Sequence, residues 1–137
     1  MERLSDGRTS KRCAERACFL KIEISGLPPG KWVSLHVHEM GACDPADHFK
    51  SAGGDFDPGH RSHGVRNSTG YHAGDLPNQY VGADGVLGSE LIEWNLALDR
   101  GKAGIRGRTI VIQAHPDDYE SQPAGNAGER SACAVIP

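Results

Sequence analysis

From Met40 to Val86 the chain runs almost without hydrophobic periodicity, through Gly, Asp, His, Asn, Pro and Ser. A stretch of that length without regular structure, inside a compact domain, is either functional or disordered. Its side chains favour function. SAGGDFDPGHRSHG (51–64) and YHAGDLPN (71–78) bring Asp55, His63, His72 and Asp75 into one segment. Order that apolar residues do not supply must come from elsewhere. Three or four nitrogen and oxygen ligands from one loop suit a closed tetrahedral zinc site, whose binding energy is folding energy.

Strand patterns flank this loop. CFLKIEIS (18–25) alternates apolar and polar after Phe19, and GLPPG (26–30) reads as a turn. KWVSLHVHE (31–39) alternates again, with Trp32, Ser34, His36 and His38 on one face. His36 and His38 therefore project together, half of a copper or zinc site. VLGSELIEWNLAL (86–98) fits either a strand pair or a short helix, whereas GRTIVIQAH (107–115) is a β-branched strand and SACAVIP a short closing one. With no repeats and no amphipathic helix, strands joined by long loops predict an antiparallel sandwich or barrel. The 137 residues suit one core.

A formal net charge of −3 leaves no basic footprint for nucleic acid or anionic lipid, and no apolar run spans a bilayer. The amino terminus, MERLSDGRTSKRCAERACFLK, lacks the apolar core of a secretory signal. The expectation is an intracellular chain or one whose leader has been removed. Cys13 and Cys18 read as two unpaired thiols on an irregular segment.

Seven segments, in order GLPPG, LHVHEMGAC, FKSAGGDFDP, SHG, YHAGDLPN, GRTIVIQAHPDDY and QPAGNAGERSACAVI, make the chain resemble the copper/zinc superoxide dismutases, particularly the bacterial branch. The resemblance covers nearly everything from residue 19 onward. It implies an all-β, Greek-key β-sandwich, a flattened eight-stranded barrel with long metal-organised loops. Residues 1–18 are expected to be a divergent N-terminal segment, the first strand missing or altered, and 19–137 the dismutase-like domain.

Residue by residue, His36 and His38 match the first two copper ligands, and His63, His72 and Asp75 match three of four zinc ligands. Asp117 matches the carboxylate that orients a copper histidine and a zinc histidine. Cys43 and Cys133 match the disulfide that pins the loop to the last strand. Closing about 90 residues would contribute roughly 4–5 kcal/mol and favour an oxidising compartment. Arg130 matches the arginine that guides superoxide to copper, but as the one cation beside Asp118, Glu120 and Glu129 it reads almost equally as a solvated charge.

Two positions depart. Asp55 follows SAGG where the family carries the histidine that bridges copper and zinc, and Gln113 stands where another copper histidine is expected. A carboxylate with a reference pKa of about 3.9, against about 6.5 for imidazole, is ill suited to taking up a proton near neutral pH. His115 and His60 are candidate replacements, although both read better as surface histidines. The expectation is a dismutase-like metal-binding protein. It keeps zinc at Asp55, His63, His72 and Asp75, has a degraded copper side, and shows little or no normal dismutase activity. The alternative is a working dismutase, turning superoxide into oxygen and hydrogen peroxide with altered copper ligation. Superoxide would then be its partner; no sequence feature supports a homodimer. The family and its disulfide point to a periplasmic or extracellular location as the alternative to a cytoplasmic one.

Overall fold

The computed structural model describes residues 10–14 (backbone), 17–99 and 101–137. Its strands are β1 Ser10–Ala14, β2 Ala17–Ile24, β3 Lys31–His38, β4 Asp75–Val81, β5 Leu87–Glu93, β6 Thr109–Gln113 and β7 Arg130–Val135. They form two antiparallel sheets, in orders β1-β2-β5 and β4-β3-β6-β7. The chain passes from β4 to the other sheet for β5 and returns so that β6 lies beside β3, a Greek-key path. The result is an open two-sheet sandwich rather than a closed barrel. Among the described residues there is no α-helix, only three short 3-10 turns, and no helix long and apolar enough to cross a membrane.

Alternation decides what each strand buries. Cys18, Leu20, Ile22 and Ile24 of β2 point inward, as do Val33, Leu35 and Val37 of β3 and Ile110 and Ile112 of β6, forming the core between the sheets. Every residue from Val33 to His38, and all of β6, is nevertheless buried. An antiparallel sheet usually leaves one face to water; here the outer face of the four-stranded sheet is roofed by loops. That face carries Ser34, His36 and His38, with Gln113 opposite Ser34 and Val111 opposite His36.

The roof is fastened by a second, smaller apolar cluster of Phe49, Ala52, Val111 and Cys133, against which Cys43 packs. Cys43 and Cys133 are disulfide-bonded with Cα atoms 5.6 Å apart.

Three expectations need correction. The aperiodic stretch contains a strand: Asp75–Val81 pairs with β3 at the sheet edge, where Pro77 costs no ladder hydrogen bond. Residues 10–14 are strand rather than irregular, and Cys18, placed opposite Cys13 in the register, is disulfide-bonded rather than a free thiol; the side chain of Cys13 lies outside the described residues. Finally, 87–93 is one strand, neither a pair nor a helix.

Candidate metal centre

The end of β3 sets the site. Where β4 stops at Asp75, the chain at 54–56 takes over as its neighbour: Phe56 N–H donates to Val37 O (2.8 Å) and Glu39 N–H to Gly54 O (3.0 Å). Asp55 thereby lies opposite His38 in a backbone bridge, and opposed residues share a face. Gly74 closes the same corner, donating to Phe56 O; a Cβ there would meet Val37 O at 2.3 Å, so the approach requires glycine.

Asp55 meets four histidines with two oxygens. Its Oδ2 lies 3.0 Å from His63 Nδ1 and 3.2 Å from His72 Nδ1. Its Oδ1 lies 3.2 Å from His38 Nε2 and 3.5 Å from His36 Nδ1. Asp75 completes the first side. Its Oδ2 accepts from Gly64 and His72 N–H, both at 2.9 Å, which turns Oδ1 to 3.0 Å from His63 Nδ1 and 3.2 Å from His72 Nδ1.

Asp117 stands behind both halves, accepting from His36 Nε2 (2.8 Å), His63 Nε2 (2.9 Å) and its own loop at Tyr119 N–H (2.7 Å). Its main chain is held on both sides by the Asn78 amide, and a Cβ on Gly125 would collide with its Oδ1 at 1.8 Å. Sequence reasoning missed Asn78 and Gly125, because neither has a spacing relation to Asp117. Gln122, also missed, both accepts from and donates to the backbone of His63.

Electrostatics split the histidines. Burial alone would lower His63, but hydrogen bonds to Asp117, Asp55 and Asp75 push it up to about 11. His72, against the same opposition, is held at about 10 by Asp55 and Asp75. His38 goes the other way, down to about 4, because burial outweighs the nearby Asp55. Burial would raise Asp55, Asp75 and Asp117, yet their imidazole hydrogen bonds hold all three below the usual carboxylate range.

Gln113 lies on the same buried sheet face, its amide N–H donating to Gly128 O at 2.8 Å. Arg130 donates to Phe49 O and Gly53 O, each at 2.6 Å, so its guanidinium clamps the roof. A surface pocket lined by His48, Lys50, Gln113, Gly128, Glu129 and Arg130 opens beside it, adding a cation, Lys50, that the local sequence around Arg130 does not contain. His115 and His60 are exposed and join no potential ligand cluster among the described residues. Three clusters of potential ligands are present: Asp55, His63, His72 and Asp75; His36, His63 and Asp117; and His36, His38 and Asp55.

A sequence model of the family described as copper/zinc superoxide dismutase matches residues 8–136. The chain belongs to the copper/zinc superoxide dismutase family. It is 44% identical over 122 residues to superoxide dismutase [Cu-Zn] 1 of Aquifex aeolicus, covering 86% of this chain and 72% of that protein. With the superoxide dismutase-like protein YojM of Bacillus subtilis it shares 39% identity over 130 residues, 92% of this chain and 66% of that one. The crystal structure of a dismutase-like protein from Bacillus subtilis superposes with a TM-score of 0.82 at 35% identity, covering 90% of this chain and 84% of the other. The clock protein EA4 gives 0.76 at 34%, covering 90% and 80%. The family implies copper and zinc, and the geometry can be tested against each. Tetrahedral bonds of about 2.0–2.1 Å separate neighbouring ligand atoms by roughly 3.3 Å. The contacts of 3.0–3.2 Å among Asp55 Oδ2, His63 Nδ1, His72 Nδ1 and Asp75 Oδ1 fit one zinc ion after slight expansion. The other side offers two imidazoles where a four-histidine copper set would need four.

Proposed function

We propose that this family member keeps a zinc site at Asp55, His63, His72 and Asp75 and has a copper side reduced to His36 and His38, with little or no ordinary dismutase activity. The observation that carries the reading is the position of Asp55. Its carboxylate reaches the zinc-side histidines with one oxygen while standing where the family's bridging imidazole is expected. When bound, zinc supplies order to the long loop. This chain's residues do the rest: Asp75 orients the histidines from two backbone amides, and Asp117 fixes the His63 ring.

Dismutation needs an acid near neutral pH at the bridge. Asp55, held below the usual carboxylate range, stays ionised and donates no proton there. Gln113 offers only a neutral amide, a weak copper ligand. Arg130 in this reading secures the roof through Phe49 and Gly53.

The test is metal content after separate zinc and copper loading, combined with superoxide consumption. Retained zinc that is lost in His72→Ala, with no dismutation above buffer, is expected. Stoichiometric copper with superoxide consumption abolished by His36→Ala would overturn the reading. It would favour a working dismutase, for which the cationic mouth of Lys50 and Arg130 beside Gln113 is the supporting feature. Restoring both imidazoles, Asp55→His with Gln113→His, is expected to raise copper-dependent activity.

A further inference from the structure

Six buried side-chain atoms among the described residues lack a hydrogen-bond partner: Ser34 Oγ, His36 Nδ1, His38 Nε2, Asp55 Oδ1, Gln113 Oε1 and Asp47 Oδ1. Five of these residues sit on or against the same roofed sheet face, and three of the atoms converge. One ligand atom each from His36, His38 and Asp55 lies within 4.8 Å of the other two, and Asp55 Oδ1 is 3.5 Å from His36 Nδ1 and 3.2 Å from His38 Nε2. The side chains of His36, His38 and Asp55 are only 0%, 2% and 3% exposed. A buried polar atom without a partner costs about 1–3 kcal/mol, so three facing one another call for an explanation.

Their tautomers give it. His38 Nδ1 faces Gly53 O at 2.9 Å, and a carbonyl only accepts, so Nδ1 carries the proton and Nε2 a lone pair. His36 Nε2 faces Asp117 Oδ2 at 2.8 Å; a carboxylate likewise only accepts, so in the neutral ring Nδ1 carries the lone pair. The third atom is a carboxylate oxygen. With both rings neutral, three lone pairs face one another with no proton donor among them, an arrangement that repels itself and attracts a cation.

We propose that His36 Nδ1, His38 Nε2 and Asp55 Oδ1 hold a second zinc-class divalent cation, making Asp55 a carboxylate bridge between two redox-inert ions. The inference rests on the zinc reading above, since Asp55 Oδ2 belongs to the first ion. Two imidazoles and one carboxylate are a zinc set that leaves a fourth position for water. The separations of 3.2 and 3.5 Å from Asp55 Oδ1 to the two ring nitrogens are those of neighbours around such an ion. Both rings are already oriented from behind, by Asp117 and Gly53, as metal-bound histidines are. The substitution of a bridging imidazole by Asp55 then changes the kind of metal the centre takes rather than deleting a site.

The test is zinc stoichiometry of the metal-stripped chain, by calorimetric titration and by elemental analysis after dialysis, repeated with cobalt(II) for its spectrum. Two equivalents in the wild type, falling to one in His38→Ala, with a spin-coupled cobalt pair that Asp55→Asn uncouples, is the expected result. The wild-type stoichiometry stands even if a variant fails to fold. One wild-type equivalent that survives His38→Ala and is lost in His72→Ala overturns the second site and leaves the first intact. One equivalent lost in His38→Ala but kept in His72→Ala overturns the zinc reading and the bridge with it. Absence of zinc binding overturns both.

Discussion

The Nε2 of His38 stands 3.2 Å from Oδ1 of Asp55, and neither atom has a hydrogen-bond partner. An imidazole lone pair and an ionised carboxylate at that distance oppose each other unless positive charge comes between them. The same carboxylate is tied by its other oxygen to His63 and His72. Asp55→Asn removes the charge that both sides share and should weaken zinc binding more than any other single change at the centre. Competition against a chromophoric chelator, with His72→Ala as the reference, measures it.

Asp117 belongs to neither proposed ion's ligand set, yet it holds both His36 and His63. Asp117→Asn replaces an acceptor by an amide whose N–H₂ can face the ring N–H groups. Loss of such an orienting partner typically costs about 10–100-fold in metal affinity. The same chelator competition should show that drop with stoichiometry unchanged.

Gly125 has φ +71° and no room for a Cβ, which would meet Asp117 Oδ1 at 1.8 Å and His63 Nε2 at 2.8 Å. Gly125→Ala should destabilise the metal-free chain by about 1–3 kcal/mol through the backbone alone. It should also weaken zinc binding by displacing Asp117. Thermal unfolding with and without zinc separates the two effects.

The Cys43–Cys133 bond closes a separation of 90 residues. Cys133→Ser should cost about 2–5 kcal/mol, read as a shifted denaturant midpoint. The damage should centre on the roof, where Phe49 and Ala52 pack against Val111.

In the metal-free chain, protons stand in for the ion. His63 and His72 are raised from 6.5 to about 11 and about 10. Their contribution to stability is full below pH 6.5 and is lost as pH rises through 10 to 11. Asp55, Asp75 and Asp117 are lowered from 3.8, so their contribution is present above that value and is lost as pH falls through their depressed pKa values. Between about pH 6.5 and 10 the folded chain keeps two protons that the unfolded chain has released, so metal-free stability should fall as pH rises through neutrality. Zinc must displace the protons on both rings at about pH 7. Calorimetry in buffers of different ionisation enthalpy should register their release, and ring resonances of His63 and His72 should not titrate between about pH 6 and 9.

Much of the centre could be read one residue at a time. Period-two alternation places His36 and His38 together, and the segments around His63, His72, Asp75, Asp117 and Cys133 carry the family likeness. Strand β4 is hidden because an edge strand tolerates Pro77 and polar side chains that a central strand would not. The pairing of Cys18 is equally hidden, because its neighbourhood shows no apolar pattern before β2.

What the sequence determined by itself was the chemistry available: two sheets' worth of alternating strands, four zinc-type donors in one loop, and a carboxylate and an amide where two imidazoles are expected. Only the tertiary structure decided how those donors are aimed. The roof over the outer sheet face buries His36 and His38, and the bridge from Asp55 to His38 turns one carboxylate oxygen toward each pair of histidines. Gly53 and Asp117 fix which ring nitrogen is bare. Lone-pair direction depends on partners distant in the chain, 81 residues apart for His36 and Asp117, and no local pattern encodes it.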